Sequence, residues 1–198
     1  VKVPLVLSCN EVKRILLMAP SLKARVMLSL AYGCGMRAGE VVRLRVGDID
    51  GEQKIIRIVQ SKGRKDRNVM LPADLLGLLC DWWKERPTGQ DRGVPGPERV
   101  IFPGYTCKHL SPRRISRLFK QAAGAAGITK PVTLHTLRHS FATHLLERGV
   151  DIRVIQALLG HTKLTTTARY ASVATGMIAA VGSPLDDLGK VKRKKGVQ

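Results

Sequence analysis

Two short stretches carry side chains that could do chemistry together. One is His135-Thr136-Leu137-Arg138; the other is Leu158-Leu159-Gly160-His161, with Tyr170 a little further on. Residues three apart in an α-helix lie one above the other. The spacing therefore predicts that His135 and Arg138 project together, while Leu134, Leu137, Phe141 and Leu145 form an apolar stripe turned the other way. Such a stripe would anchor the helix and leave an imidazole and a guanidinium facing a cleft. A guanidinium is a planar fork of donors that fits phosphate oxygens, and an imidazole exchanges a proton near neutral pH. By itself the pair is also what a solvated helix face looks like in a His-rich segment, with His139 and His144 close by. Its weight depends on matching parts elsewhere.

Two such parts lie upstream. In Gly33-Cys34-Gly35-Met36-Arg37-Ala38-Gly39-Glu40 the glycines permit a tight turn, and Arg37 stands where a short helix to about Arg43 should begin. A helix start offers free N–H groups and a positive dipole end to phosphate, and Glu40 is spaced to hold Arg37 or its loop; a surface ion pair would have the same spacing. The second part is Ser61-Lys62-Gly63-Arg64-Lys65-Asp66-Arg67, between strand-like runs at 54–60 and 68–71. A hairpin tip this basic either pushes a lysine into a groove or active site, or only keeps the hairpin soluble.

The elements that position these parts follow from local signals. Ser8-Cys9-Asn10-Glu11 has the form of a capping box, and Pro20-Ser21 ends that helix and starts another, which runs to Gly33. Residues 48–51 read as a turn. Pro72 opens a helix carrying Leu75, Leu76, Leu79 and Trp82. Residues 88–98, rich in Gly, Pro and charge, read as a flexible surface loop, followed by a short apolar piece at 100–103. Ser111-Pro112 starts a helix to about Ala126, with Ile115, Leu118, Phe119 and Ala122 on its buried side and Arg113, Arg114, Arg117 and Lys120 on the other. The central helix spans about 134–148 and stops at Gly149; Asp151 caps the next, which Gly160 breaks. A short helix is expected at 165–170 and an apolar segment at 174–181. The expected fold class is α+β, mainly α-helical with a small antiparallel sheet, in one domain over 8–182. Residues 1–7 read as the end of an interdomain linker and 183–198 as a basic, disordered tail.

The 198 residues hold 34 Lys+Arg against 15 Asp+Glu, a formal charge of +19. Such self-repulsion strains a compact state unless a polyanion covers it, which makes nucleic acid the first candidate partner and an anionic membrane surface the second. Aromatic content of 4% argues against stacking platforms for single strands and favours duplex backbone binding. The four cysteines form no C-x-x-C pair, which fits neither a zinc framework nor a disulfide scaffold. With no signal peptide or spanning run, free thiols suggest an intracellular setting.

Carboxylates are few and scattered, with no cluster suited to Mg²⁺, and no Walker-type loop is present. Arginines can instead neutralise a phosphoryl group in its transition state. A tyrosine hydroxyl becomes a nucleophile when a base takes its proton and cations stabilise the phenolate, and a lysine can protonate a leaving sugar alkoxide. This is equipment for covalent phosphoryl transfer on DNA without a metal or other cofactor.

The five elements, in this order and with this internal spacing, resemble the catalytic set of the tyrosine recombinases, the phage integrase family. The resemblance covers roughly 7–173. It implies the tyrosine recombinase catalytic-domain fold and a site-specific recombinase that cleaves and rejoins double-stranded DNA through a 3′-phosphotyrosyl link, without ATP. It further implies that Arg37 and Arg138 clamp the scissile phosphate, Lys62 protonates the leaving 5′-hydroxyl, His135 assists proton transfer at the tyrosine, His161 hydrogen-bonds the phosphate and Tyr170 attacks. Arg64, Lys65, Arg67, Arg113, Arg114 and Arg117 are the expected DNA backbone contacts. Partners implied are DNA and other protomers in a synaptic tetramer, with no membrane, in a bacterial or phage cytoplasmic setting at the nucleoid. Family members carry an N-terminal DNA-binding domain as well, so the chain reads as a fragment, and 174–181 as a segment that docks on its own or a neighbouring protomer. The competing readings are a type IB topoisomerase, a non-catalytic DNA-binding relic and, weakest, a zinc site using His135 and His139.

Overall fold

The computed structural model describes residues 5–59, 66–104 and 109–160. Seven α-helices occur among them: α1 (Cys9–Leu17), α2 (Leu22–Gly33), α3 (Ala38–Arg43), α4 (Ala73–Glu85), α5 (Pro112–Ala125), α6 (Leu134–Glu147) and α7 (Ile152–Leu159). The strands β1 (Ile49–Asp50), β2 (Ile55–Ile58) and β3 (Arg67–Met70) form one antiparallel sheet in the order β1-β2-β3, with Ile56 opposite both Ile49 and Val69. The α+β class expected from the sequence is what the structure has.

Local signals set most boundaries. Ser8 accepts from the Glu11 N–H and the Glu11 carboxylate accepts from the Ser8 N–H, so the capping box at α1 is closed. Ser21 caps α2 and Asp151 caps α7. α2 is buried nearly all round, through Ala24, Val26, Met27, Leu28, Leu30 and Ala31, and packs against α4, α5 and α6. Helices apolar on every side belong in a core. A second cluster of Phe141, Ala142, Leu146, Ile155 and Leu159 joins α6 to α7.

Three expectations are corrected. Leu7 belongs to the core rather than to a linker: it is fully buried, and its N–H donates to Ser140 Oγ at 2.9 Å. Residues 49–50, read as a turn, form β1, because the short 3₁₀ turn at Val46–Asp48 delivers them alongside β2. Residues 88–98 are pinned rather than free: Arg86, 4% exposed, bonds Asp91 and lies 3.6 Å over the Trp83 ring. The apolar piece after them inserts Phe102 against Trp82, whose indole N–H donates to the Ile101 carbonyl at 2.9 Å. On α6 the expected apolar stripe is turned inward, with Leu134, Leu137 and Phe141 buried, and the arginine of the same helix is buried as well. Arg138 is 1% exposed, on a helix whose inward residues include Thr136, Ser140 and Thr143. The expected helix at 165–170, the segment 174–181 and the tail 183–198 lie outside the described residues.

Candidate functional site

The backbone reversal between α2 and α3 builds the first wall of the site. Gly35 has φ +61°, and a Cβ there would lie 2.6 Å from two ring carbons of Phe141, so only glycine lets this turn close on α6. The turn ends on Arg37, the N-cap of α3. The Glu40 carboxylate accepts the Arg37 N–H at 2.7 Å and the Arg37 guanidinium at 2.9 Å, which fixes both backbone and side chain. Arg37 keeps 28% of its side chain exposed, whereas that of Glu40 is 7% exposed.

α6 supplies the second wall. The Thr133 N–H donates to Thr136 Oγ1 at 3.0 Å and sets the start of the helix beside the cleft. Arg138 reaches inward: one Nη donates to the Gly35 carbonyl and the other to the Leu159 carbonyl, so a single guanidinium fastens the α2–α3 turn and the end of α7 to α6. Buried arginine is tolerated where such acceptors meet its fork. α7 then ends on Gly160 in the left-handed conformation, at φ 61° and ψ 45°.

Between these walls lies a cleft of about 480 Å³, with Arg37, Ser116, Lys120, Thr133, His135 and Arg138 among its lining residues. Two helix starts, those of α3 and α6, border it through Ala38 and Leu134. Three cationic side chains together with helix N–H groups are a setting for a phosphate. His135 has its pKa lowered, first by desolvation and then by the charges of Arg138 and Arg37. Both causes favour the neutral imidazole, the form able to accept a proton. His139 stacks edge-on to it at 4.3 Å and is lowered further, to about 4, by burial and then by His135 and Arg138. No group of three or more metal-ligating side chains occurs among the described residues, so the zinc reading of His135 and His139 gains no third ligand there.

The structure thus brings Arg37, His135 and Arg138 to one cleft. Lys62, Arg64, Lys65, His161 and Tyr170 lie outside the described residues. Arg113, Arg114 and Arg117 are exposed along α5, on the helix that sends Ser116 and Lys120 to the cleft. Lys120, grouped with them in the sequence, lines the site itself; its place one turn beyond Arg117 was the available signal. Arg67 corrects the expectation of a DNA contact. Its guanidinium is 6% exposed and faces inward, donating to both Glu40 oxygens at 2.9 and 2.8 Å and to the Leu158 carbonyl at 2.7 Å. Glu40 in turn has its pKa set to about 2: burial alone would raise it, but the hydrogen bonds and charge of Arg67, with those of Arg37, prevail. A larger cleft, about 770 Å³, lies between Arg43, Arg45 and residues 89–100 and contains none of the sequence motifs.

Among the described residues no helix is long and apolar enough to cross a membrane. Comparison with known proteins points one way. The sequence model of the phage integrase family matches residues 6–177. The tyrosine recombinase XerA of Pyrococcus furiosus is 37% identical over 86% of this chain and 58% of its own length. An integrase/recombinase of Escherichia coli is 38% identical over 94% of this chain and 65% of its own. The chain therefore spans little more than half the length of such relatives. Among solved structures, a XerA recombinase superposes with a TM-score of 0.77 at 28% identity, covering 92% of this chain and 68% of that one. A XerH site-specific recombinase bound to its palindromic difH substrate, in a post-cleavage complex, gives 0.76 at 26% identity, covering 93% of this chain and 54% of that one.

Proposed function

Because the chain belongs to the phage integrase family, we propose that it is the catalytic domain of a tyrosine-type site-specific recombinase acting on double-stranded DNA. The observation that carries this reading is the meeting of Arg37, His135 and Arg138, from stretches about a hundred residues apart, on one cleft. Arg37 and Arg138 hold the nonbridging oxygens of the scissile phosphate, with Lys120 adding positive charge beside them. Tyr170 Oη attacks phosphorus. The new bond joins phosphorus to the phenolic oxygen, and the bond to the 5′ oxygen breaks. The phenolic proton leaves with the help of neutral His135, and Lys62 gives a proton to the departing 5′ oxygen. His161 hydrogen-bonds the phosphate. The 3′-phosphotyrosyl link conserves the bond energy, so a 5′-hydroxyl from a partner strand reverses the step without ATP.

Exchange of two strand pairs requires other protomers, so the working assembly is a synaptic tetramer. Its substrate places it at chromosomal DNA in the cytoplasm. The described core together with the segment to about 182 forms the catalytic domain, and the basic residues of 183–198 form a tail. Exposed Arg113, Arg114 and Arg117 on α5 run along the DNA backbone beside the cleft.

The test is a suicide substrate nicked near the scissile phosphate, made from the ends of the native mobile element and run on a denaturing gel with the natural full-length protein. A covalent protein–DNA band that survives EDTA and vanishes in Tyr170→Phe is expected. Binding to the same DNA with no band in the wild type would instead support a DNA-binding relic.

A further inference from the structure

Glu40 is the most heavily used anion in the described structure. Its Oε1 accepts from Arg37 Nη1 at 2.9 Å and from Arg67 Nη1 at 2.9 Å; its Oε2 accepts from the Arg37 N–H at 2.7 Å and from Arg67 Nη2 at 2.8 Å. The remaining Arg67 donor, Nε, reaches the Leu158 carbonyl at 2.7 Å. Arg67 opens β3 and is the last residue of the basic stretch that holds Lys62. The Leu158 carbonyl belongs to the last turn of α7, and Gly160 after it lies so close that an added Cβ would sit 3.0 Å from Arg67 Cδ. One guanidinium therefore joins the first residue of β3, the carboxylate that holds Arg37, and the end of α7, which His161 follows in sequence.

We propose that Arg67 is a positioning residue for strand cleavage: its fork on Glu40 and Leu158 sets Arg37, the hairpin and the end of α7 in register with one another. The proposal rests on the recombinase reading above. Two physical effects support it. The first is geometric. A planar fork whose three nitrogens carry five N–H donors in fixed directions can satisfy two carboxylate oxygens and a carbonyl at once, which a lysine ammonium cannot do in the same geometry. The second is electrostatic. Arg37, Glu40 and Arg67 together carry a net charge of +1. Removing Arg67 leaves Arg37 and Glu40 as a neutral pair, and the guanidinium that faces the cleft is then drawn toward its own carboxylate rather than toward phosphate. Arg67 does not touch the substrate in this arrangement: it is not among the residues that line the cleft, and its side chain is turned to Glu40 and the Leu158 carbonyl. Its contribution passes through Arg37.

The experiment measures covalent complex formation on the suicide substrate at saturating full-length protein, alongside DNA affinity as a function of salt, for wild type, Arg67→Lys and Arg67→Ala. Wild-type cleavage is the control for the functional reading; if it fails, that reading falls whatever the variants do. With the wild type active, Arg67→Lys should keep DNA affinity within about threefold and the same salt slope, yet cleave at least tenfold more slowly. Millimolar guanidinium ion should restore part of the Arg67→Ala rate by occupying the vacated site, a rescue that a merely unfolded variant would not show. If Arg67→Ala does not fold, the lysine variant alone decides. A cleavage rate within threefold of wild type in Arg67→Lys overturns the proposal. So does weakened binding with a shallower salt slope and an unchanged saturating rate, which marks a DNA backbone contact instead.

Discussion

Replacing Gly35 with alanine separates two effects that glycine usually confounds. Gly35, Gly127 and Gly149 all sit at positive φ, +61°, +67° and +78°. A Cβ in that region costs roughly 1–2 kcal/mol, and at Gly127 and Gly149 it would meet nothing within 4 Å. At Gly35 it would meet Phe141 Cδ1 and Cε1 at 2.6 Å and Leu159 Cδ2 at 3.2 Å. Carbon atoms rest about 3.5–4.0 Å apart, so the ring must retreat by about 1 Å. Phe141 is 6% exposed and packed between α6 and α7, with little room to move. Overpacking of this kind costs about 1–3 kcal/mol. The expected loss is thus about 2–5 kcal/mol for Gly35→Ala against about 1–2 kcal/mol for Gly149→Ala. Urea unfolding followed by circular dichroism would measure both, provided the m-values agree. The Gly35 carbonyl also accepts from Arg138, so the shift of the turn should slow cleavage beyond what the unfolded fraction explains. Equal losses for Gly35→Ala and Gly149→Ala would refute the steric argument and leave only the backbone contribution.

Two further outcomes follow from charge. Glu40 has a folded pKa of about 2 against an ordinary 4.5, so its contribution is complete above 4.5 and is lost as pH falls toward 2, about 3 kcal/mol in all. His139, lowered from 6.5 to about 4, is protonated first in the unfolded chain, so it too withdraws stability as pH falls from 6.5 toward 4. Unfolding midpoints measured between pH 7 and 3 should decline in both windows, and Glu40→Gln should shrink the lower one, leaving the part that belongs to Glu11, whose carboxylate Lys130 also holds low. On α5, Arg113, Arg114 and Arg117 are exposed and form no ion pair among the described residues. Changing all three to alanine should lower the salt slope of DNA binding by about 0.9 for each phosphate no longer neutralised while leaving the melting temperature unchanged; an unaltered slope would remove them from the interface.

What could be read from the sequence was whatever is encoded within one helical turn. The Ser8–Glu11 box, the Ser111-Pro112 start of α5 and the Arg37–Glu40 spacing are local, and each appears in the structure where the spacing put it. β1 was missed because two residues carry no periodicity of their own and owe their strand to β2. The inward bonds of Arg138 were not legible for a related reason, although its place on the cleft was. Its acceptors, the carbonyls of Gly35 and Leu159, lie 103 and 21 residues away, and backbone carbonyls leave no mark on composition. A helix that buries an arginine this way reads from sequence as amphipathic when it is not.

Arg67 was the more informative miss, since a signal for it existed. Within β3, Arg67 and Val69 are two apart and so share a face, and Val69 is 1% exposed. Starting the strand at Asn68 discarded that register and left Arg67 among the basic residues of the hairpin tip. The error shows how the chain's positive charge is divided. Arginines of the same type serve opposite ends: Arg67 and Arg138 turn inward and bond the successive carbonyls of Leu158 and Leu159 at the end of α7, where a helix dipole favours cations. Arg37 sits at the boundary, held by Glu40 yet open to the cleft. Arg113, Arg114 and Arg117 remain outside. Since Glu40 already has Arg67 as a partner, the cleft keeps a net positive charge, and a phosphate is the group whose arrival would balance it. Arg37 and Arg138 line the cleft and Arg67 does not, so position on the cleft, rather than the count of arginines or their burial, separates those that could meet a phosphate from one that only builds the site.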